Sequence, residues 1–239
     1  MTAAGGSHIG LRKNNEDSYY INEACRLFVI ADGMGGHEHG KMASRMAVEH
    51  FMQMAEGKGS DVFSIEQMEQ MMEEANQAIY SRQEALHIDV MGTTLTAVKI
   101  DGSHLYAGHI GDSRLYLYRD EELTQLTQDH SYYAELLRQG NTEISLENCQ
   151  KNVLLKALGP EAAAEGQFFV ENVYPDDILL LCTDGLYNAV SHTELQQLIE
   201  QTTDLQSTVN EMIALALSHG ASDNITAILY RHDGEVMAW

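Results

Sequence analysis

The stretch that most constrains this fold is a pair of β-rich runs, Thr93 to Ile100 and His104 to Ile110, around the step Asp101-Gly102. Runs this close, joined by a turn-forming pair, make an antiparallel hairpin, because parallel neighbours need a crossover of a dozen or more residues. Leu115 to Tyr118 follows almost at once. Further strand-like runs lie at Arg26 to Ala31, Phe168 to Val173, Ile178 to Cys182 and Ile225 to Arg231. Helical patterns come in pairs and do not alternate with these strands. Lys41 to Met54 and Ser64 to His87 form one pair; helices opened by Ser191-His-Thr-Glu194 and by Asp204 form the other. A short helix is expected over 131–139. This order predicts an α+β chain with antiparallel sheets covered by helices.

The helix signals are specific. Ser64-Ile-Glu-Gln67 reads as a capping box, and Ile65, Met68, Met72, Ala75, Ile79 and Leu86 form a near-heptad stripe expected to pack in the core. Leu205, Val209, Met212, Ile213, Ala216 and Leu217 turn inward on the last helix, with Gly220 just past its end. Gly140 to Gly159 is irregular and reads as a surface excursion. No repeat, low-complexity segment or proline-rich linker divides the 239 residues, so residues 1–239 are expected to form a single domain.

Asp and Glu number 36 against 14 Lys and Arg, a formal charge of −22. Such a surface repels polyanions, which counts against nucleic acid and anionic membrane as partners. No apolar run reaches the ~20 residues that span a bilayer. Met1 to His8 lacks the pattern of a secretory leader, so the expected location is cytoplasmic. The cysteines Cys25, Cys149 and Cys182 show no CxxC spacing. Cys182, inside Leu179-Leu-Leu-Cys, reads as a buried thiol.

Asp-Gly occurs four times, at residues 32, 101, 184 and 233. The hairpin accounts for Asp101-Gly102, and Asp233-Gly234 sits in a polar tail as a plain turn. Asp32 and Asp184 instead follow apolar runs. Asp112, Asp223 and Asp17 also lie beside such runs. Singly, each reads as a turn or helix cap more readily than as a ligand. Together, with so few basic residues to pair them, they point to a hard, oxygen-seeking cation such as Mg²⁺ or Mn²⁺.

Taken in order, Arg12-x-x-Asn15-Glu-Asp17, Asp32-Gly-Met-Gly-Gly-His37-x-x-Gly40, Gly92-Thr-Thr94, Gly111-Asp-Ser-Arg114, Thr127-x-Asp-His130, Thr183-Asp-Gly-Leu186 and Ser222-Asp-Asn-Ile-Thr226 resemble the bacterial branch of the metal-dependent protein phosphatases, the PPM or type 2C Ser/Thr family. The resemblance implies a four-layer αββα sandwich, with the segment near 140–159 as a flap beside the site. It implies two core Mn²⁺ or Mg²⁺ ions, a weaker third, and hydrolysis of phosphoserine and phosphothreonine by a metal-bridging water. Asp32 would bridge the metals and Gly33 would lend its carbonyl. Asp184 and Asp223 would complete the second ion, Asp17 would hold metal-bound water, and Asp112 with Asp184 would form the third site. Arg12 would grip the phosphate; by itself it reads as a surface residue paired with Glu16 or Asp17. The general acid stays open between His37, another group and a metal-bound water, because Met34 occupies the position of the animal branch's histidine. Implied partners are phosphoproteins and a cognate Ser/Thr kinase, with the chain acting as a monomer. A silent phosphoprotein-binding relative, or another two-metal hydrolase such as a nuclease, is the competing expectation.

Overall fold

Hairpin-linked strands dominate the computed structural model, which describes residues 2–36, 38–57, 63–140 and 153–234. The strands are β1 (Ala3–His8), β2 (Asp17–Asn22), β3 (Leu27–Met34), β4 (Gly92–Thr93), β5 (Leu95–Asp101), β6 (His104–Ile110), β7 (Arg114–Arg119), β8 (Glu122–Gln125), β9 (Gln167–Asn172), β10 (Ile178–Cys182) and β11 (Ile225–Arg231). The helices are α1 (Glu38–Gly57), α2 (Ile65–Leu86), α3 (Tyr132–Arg138), α4 (Asp184–Tyr187), α5 (His192–Glu200) and α6 (Leu205–Ser218). One sheet runs β1-β11-β10-β7-β8; the other runs β2-β3-β5-β6-β9, with β4 pairing β3. Every pairing is antiparallel.

Strand alternation divides the apolar residues among three interfaces. Phe28, Ile30, Val98, Leu105 and Ala107 of one sheet meet Leu117, Leu179, Leu181, Ile228 and Tyr230 of the other. The Phe28 and Tyr230 rings stand 4.7 Å apart at the centre of that interface. Leu27, Val29 and Ala31 point the opposite way, onto Ala47, Phe51, Met68 and Ile79 of α1 and α2. Leu180, Cys182 and Leu229 likewise pack on Leu195, Val209 and Met212 of α5 and α6. Helices, sheet, sheet and helices therefore form the expected four layers. Being buried on both faces is why Ile178 to Cys182 reads as one apolar run.

The capping boxes at Ser64 and Ser191 and the cap at Asp204 form as expected. Met68, Met71 and Met72 pack as core, and Cys182 is fully buried. Leu86 departs from the stripe and stays 39% exposed, since it ends α2 just before the left-handed cap His87. The central hairpin turns at Gly102-Ser103, one residue later than expected, because Asp101 still pairs with His104. Arg26 is not in a strand. It lies at φ 48° in the β2–β3 turn, and its buried guanidinium donates to Asp233, so that tail residue is an ion-pair partner and more than a turn. Strand β1 and short β8 had no clear signal in the sequence. Gly140 begins the anticipated flap, but residues 141–152 lie outside the described set. No helix among the described residues is long and apolar enough to cross a membrane.

Candidate metal centre

The alternation that builds the inter-sheet core also places the carboxylates. Phe28 and Ile30 face the opposite sheet, and two residues on Asp32 keeps that direction. The strand does not stop at Ala31 as expected. It continues through Asp32, Gly33 and Met34, because β4 supplies partners for the last two. Asp17 is the cross-strand partner of Asp32 and shares its face. By the same count Thr226, beyond Ile228, and Thr183, beyond Leu181, point into this end of the interface.

Asp17 sits beneath the cleft floor. Its Oδ2 accepts hydrogen bonds from Thr183 Oγ1 at 2.9 Å and Thr226 Oγ1 at 2.6 Å. Thr183 Oγ1 in turn accepts from the Thr226 N–H at 3.0 Å and makes no side-chain cap to the short helix that Asp184 opens. The main chain of Asp32 is gripped on both sides: its N–H donates to Thr94 Oγ1, and its carbonyl accepts from Thr94 N and Thr93 Oγ1. At Gly33 a Cβ would lie 2.1 Å from the Gly40 carbonyl oxygen, so only glycine lets α1 begin this close to the strand.

Above this floor a cleft of about 530 Å³ is lined by Arg12, Asp32, Gly33, Asp112, Asp184 and Asp223, among others. Six of the seven expected site residues thus share one cavity, with Asp17 just below it. Arg12 is 56% exposed and donates to Asp223 Oδ2 at 2.5 Å; its partner is neither Glu16 nor Asp17. His37 lies outside the described residues, and Met34 lines the cleft but carries no titratable proton.

Burial and mutual repulsion dominate the electrostatics. Burial, then Asp17 and Asp184, push Asp32 well above the usual carboxylate range. Burial, then Asp112 and Asp223, raise Asp184 to about 8. Asp112 rises to about 6 through burial and the charge of Asp129. Asp17 also reaches about 6 through burial, although its threonine hydrogen bonds oppose the shift. The Arg12 guanidinium is raised by its hydrogen bond to Asp223.

Such a cluster fits a divalent cation. The donors are all oxygen, and Asp17 Oδ1 and Asp184 Oδ1 are buried without a hydrogen-bond partner among the described residues. Among the described residues, no three His, Cys, Asp or Glu side chains already stand grouped as a metal site. The all-oxygen donor set suits Mg²⁺ and Mn²⁺ better than Zn²⁺, which prefers nitrogen and sulfur.

Arg114, Asp129 and Asn224 were quoted within sequence blocks but given no role there, and Tyr187 was not singled out. Arg114 forks onto Asp129, with its closest contact at 2.7 Å, and its guanidinium lies 3.5 Å from the Tyr187 ring centre. Tyr187 Oη then donates to the Asp112 carbonyl, fixing the loop that carries this carboxylate. Asn224 ties the Arg12 loop to β11. None of these contacts has a local spacing that could have announced it.

Behind Asp112, His109 is fully buried between the sheets. Its Nδ1 meets Thr96 Oγ1, its Nε2 meets the Gln128 carbonyl, and its ring stacks on His130 at 5.0 Å. Burial, then the His130 charge, lower His109 to about 3; burial, with Lys156 and Arg138 nearby, lowers His130 to about 4. Both imidazoles are therefore neutral in the fold, while the unfolded chain takes up protons below about 6.5. Stability should fall as pH drops from 6.5 towards 4. Urea midpoints for His109→Gln across that window should show a shallower slope than wild type. Equal slopes would contradict the assignment.

The protein phosphatase 2C family model matches residues 4–229. The serine/threonine phosphatase stp of Listeria monocytogenes is 37% identical over 234 residues, covering 93% of this chain and 92% of its own. Among solved structures, the catalytic domain of the serine/threonine protein phosphatase PstP in complex with two manganese ions superposes with a TM-score of 0.86, at 33% identity over 96% of both chains. PppA, described as a key regulatory component of T6SS in Pseudomonas aeruginosa, gives 0.85 at 31% identity, also over 96% of both.

Proposed function

The chain belongs to the protein phosphatase 2C family, and on that premise we propose that its aspartate-lined cleft is the active centre of a metal-dependent serine/threonine protein phosphatase. The observation that carries this reading is the convergence of Asp32, Asp112, Asp184 and Asp223 on one cavity, with Asp17 beneath and Arg12 at the rim. Mn²⁺ or Mg²⁺ is the family's cofactor and, when bound, supplies Lewis acidity and lowers the pKa of water at the reacting phosphorus.

The chain's own residues account for the rest. Asp32 reaches the cavity from the sheet interface and would hold two cations. Asp184 and Asp223 enter from the opposite sheet and would complete the second. Gly33 offers main-chain oxygen where no side chain fits. Asp17, with one oxygen fixed by Thr183 and Thr226, would orient water with the other, which has no hydrogen-bond partner among the described residues. Asp112 and Asp184, both buried and mutually repelling, would share a weaker third ion. Arg12 is the forked donor for phosphate oxygens, a geometry that Lys does not offer.

The substrates are phosphoproteins; we read them as the products of a Ser/Thr kinase, and the chain as acting as a monomer. The charge of −22 opposes a nuclease role. Mn²⁺-supplemented protein should release phosphate from a phosphothreonine peptide and leave single-stranded DNA intact. Cleavage of the DNA with the peptide untouched would overturn the substrate class.

A further inference from the structure

Asn224 stands next to Asp223 and is only 4% exposed. Its Nδ2 donates to the carbonyls of Ile9 and Asn14, each at 2.9 Å, and its Oδ1 accepts from the Glu16 N–H at 2.8 Å. One carboxamide thus joins both ends of the loop that carries Arg12. The surrounding main chain is equally close. A Cβ at Gly10 would lie 1.9 Å from the Asp223 carbonyl oxygen, and one at Gly185 would lie 2.0 Å from that of Asn224. Gly10 also holds φ at +61°, which favours glycine. Asn224 therefore stands between the Asp184 turn and the Arg12 loop, with both its donor and acceptor groups used.

Arg12 is long and more than half exposed, so the backbone beneath it decides where its guanidinium can reach. We infer that Asn224 is a positioning residue for substrate phosphate, holding residues 9–16 so that Arg12 stands over the carboxylate cluster. Only an amide has both the donors for two carbonyls and the acceptor for an N–H; an Asp carboxylate lacks the donors. The inference rests on the reading of Arg12 as the phosphate-binding residue.

A double-mutant cycle tests it, with inorganic phosphate as a competitive inhibitor of p-nitrophenyl phosphate hydrolysis at saturating Mn²⁺. Arg12→Ala should raise the inhibition constant about tenfold or more. Asn224→Ala should raise it by about tenfold. The double variant should be no weaker than Arg12→Ala alone, because both changes remove the same contact. Additive losses would overturn the role of Asn224 alone; an Arg12→Ala protein with an unchanged constant would overturn both readings. A second readout needs no catalysis. In the metal-free protein, amides of residues 9–16 should exchange about tenfold faster in Asn224→Ala, while β11 keeps its protection. Unchanged loop exchange would also overturn the inference. Should the alanine variant not fold, Asn224→Ser carries the same two measurements.

Discussion

Asp32→Ala is expected to lower turnover on a phosphothreonine peptide by about three to four orders of magnitude, or about 4–6 kcal/mol of transition-state stabilisation. The size follows from its position. Asp32 faces the inter-sheet cavity, is fixed through its own backbone by Thr93 and Thr94, and is repelled by each of the other four aspartates. No neighbouring side chain can replace a carboxylate held there. The fold should survive, because the side chain makes no contact that the hydrophobic interfaces depend on. The metal-free variant should melt about 2–4 °C higher than metal-free wild type, since a carboxyl repelled by four neighbouring aspartates has been removed. Near wild-type turnover, or a collapsed melting temperature, would show that Asp32 serves the fold and not the chemistry.

Asp184→Asn should weaken Mn²⁺ binding about 10–100-fold and lower turnover at limiting metal. Asn188 Nδ2 donates to Asp184 Oδ2 at 3.2 Å, while Oδ1 is buried with no partner among the described residues. In the variant the amide satisfies Asn188 with its oxygen, which turns its NH₂ group into the cleft. A donor then stands where a cation needs an acceptor, and a negative charge is gone. Excess Mn²⁺ should restore part of the rate. Titration calorimetry and turnover against Mn²⁺ concentration would measure both effects; affinity equal to wild type would remove Asp184 from the ligand set.

Much of this site was legible because it lies on regular structure. The alternation through Phe28 and Ile30 points directly at Asp32, and the apolar run from Ile178 leads to Asp184. Capping boxes at Ser64 and Ser191 were readable because cap and partner are three residues apart. What escaped depends on chain segments far apart. Asp17 is satisfied by Thr183 and Thr226, and Arg12 pairs with Asp223; no spacing along the chain reports such contacts. Strand β1 escaped for a different reason. Ala-Ala-Gly-Gly-Ser-His lacks β-forming side chains because there is no room for them: a Cβ at Gly5 would lie 2.6 Å from Ile21 Cδ1, and one at Gly6 would lie 2.9 Å from Ile213 Cδ1. The strand is specified by the surfaces around it more than by its own propensity. Strand β3 was expected to end too early because the pairing of Gly33 and Met34 with β4 is itself a tertiary event.

The most direct test of a metal-dependent phosphatase centre in the aspartate cleft is phosphate release from a phosphothreonine peptide with Mn²⁺, then after EDTA, then after Mn²⁺ is returned in excess. The expected result is steady release, loss of release on chelation, and recovery on re-addition. A rate that EDTA leaves unchanged would contradict the account.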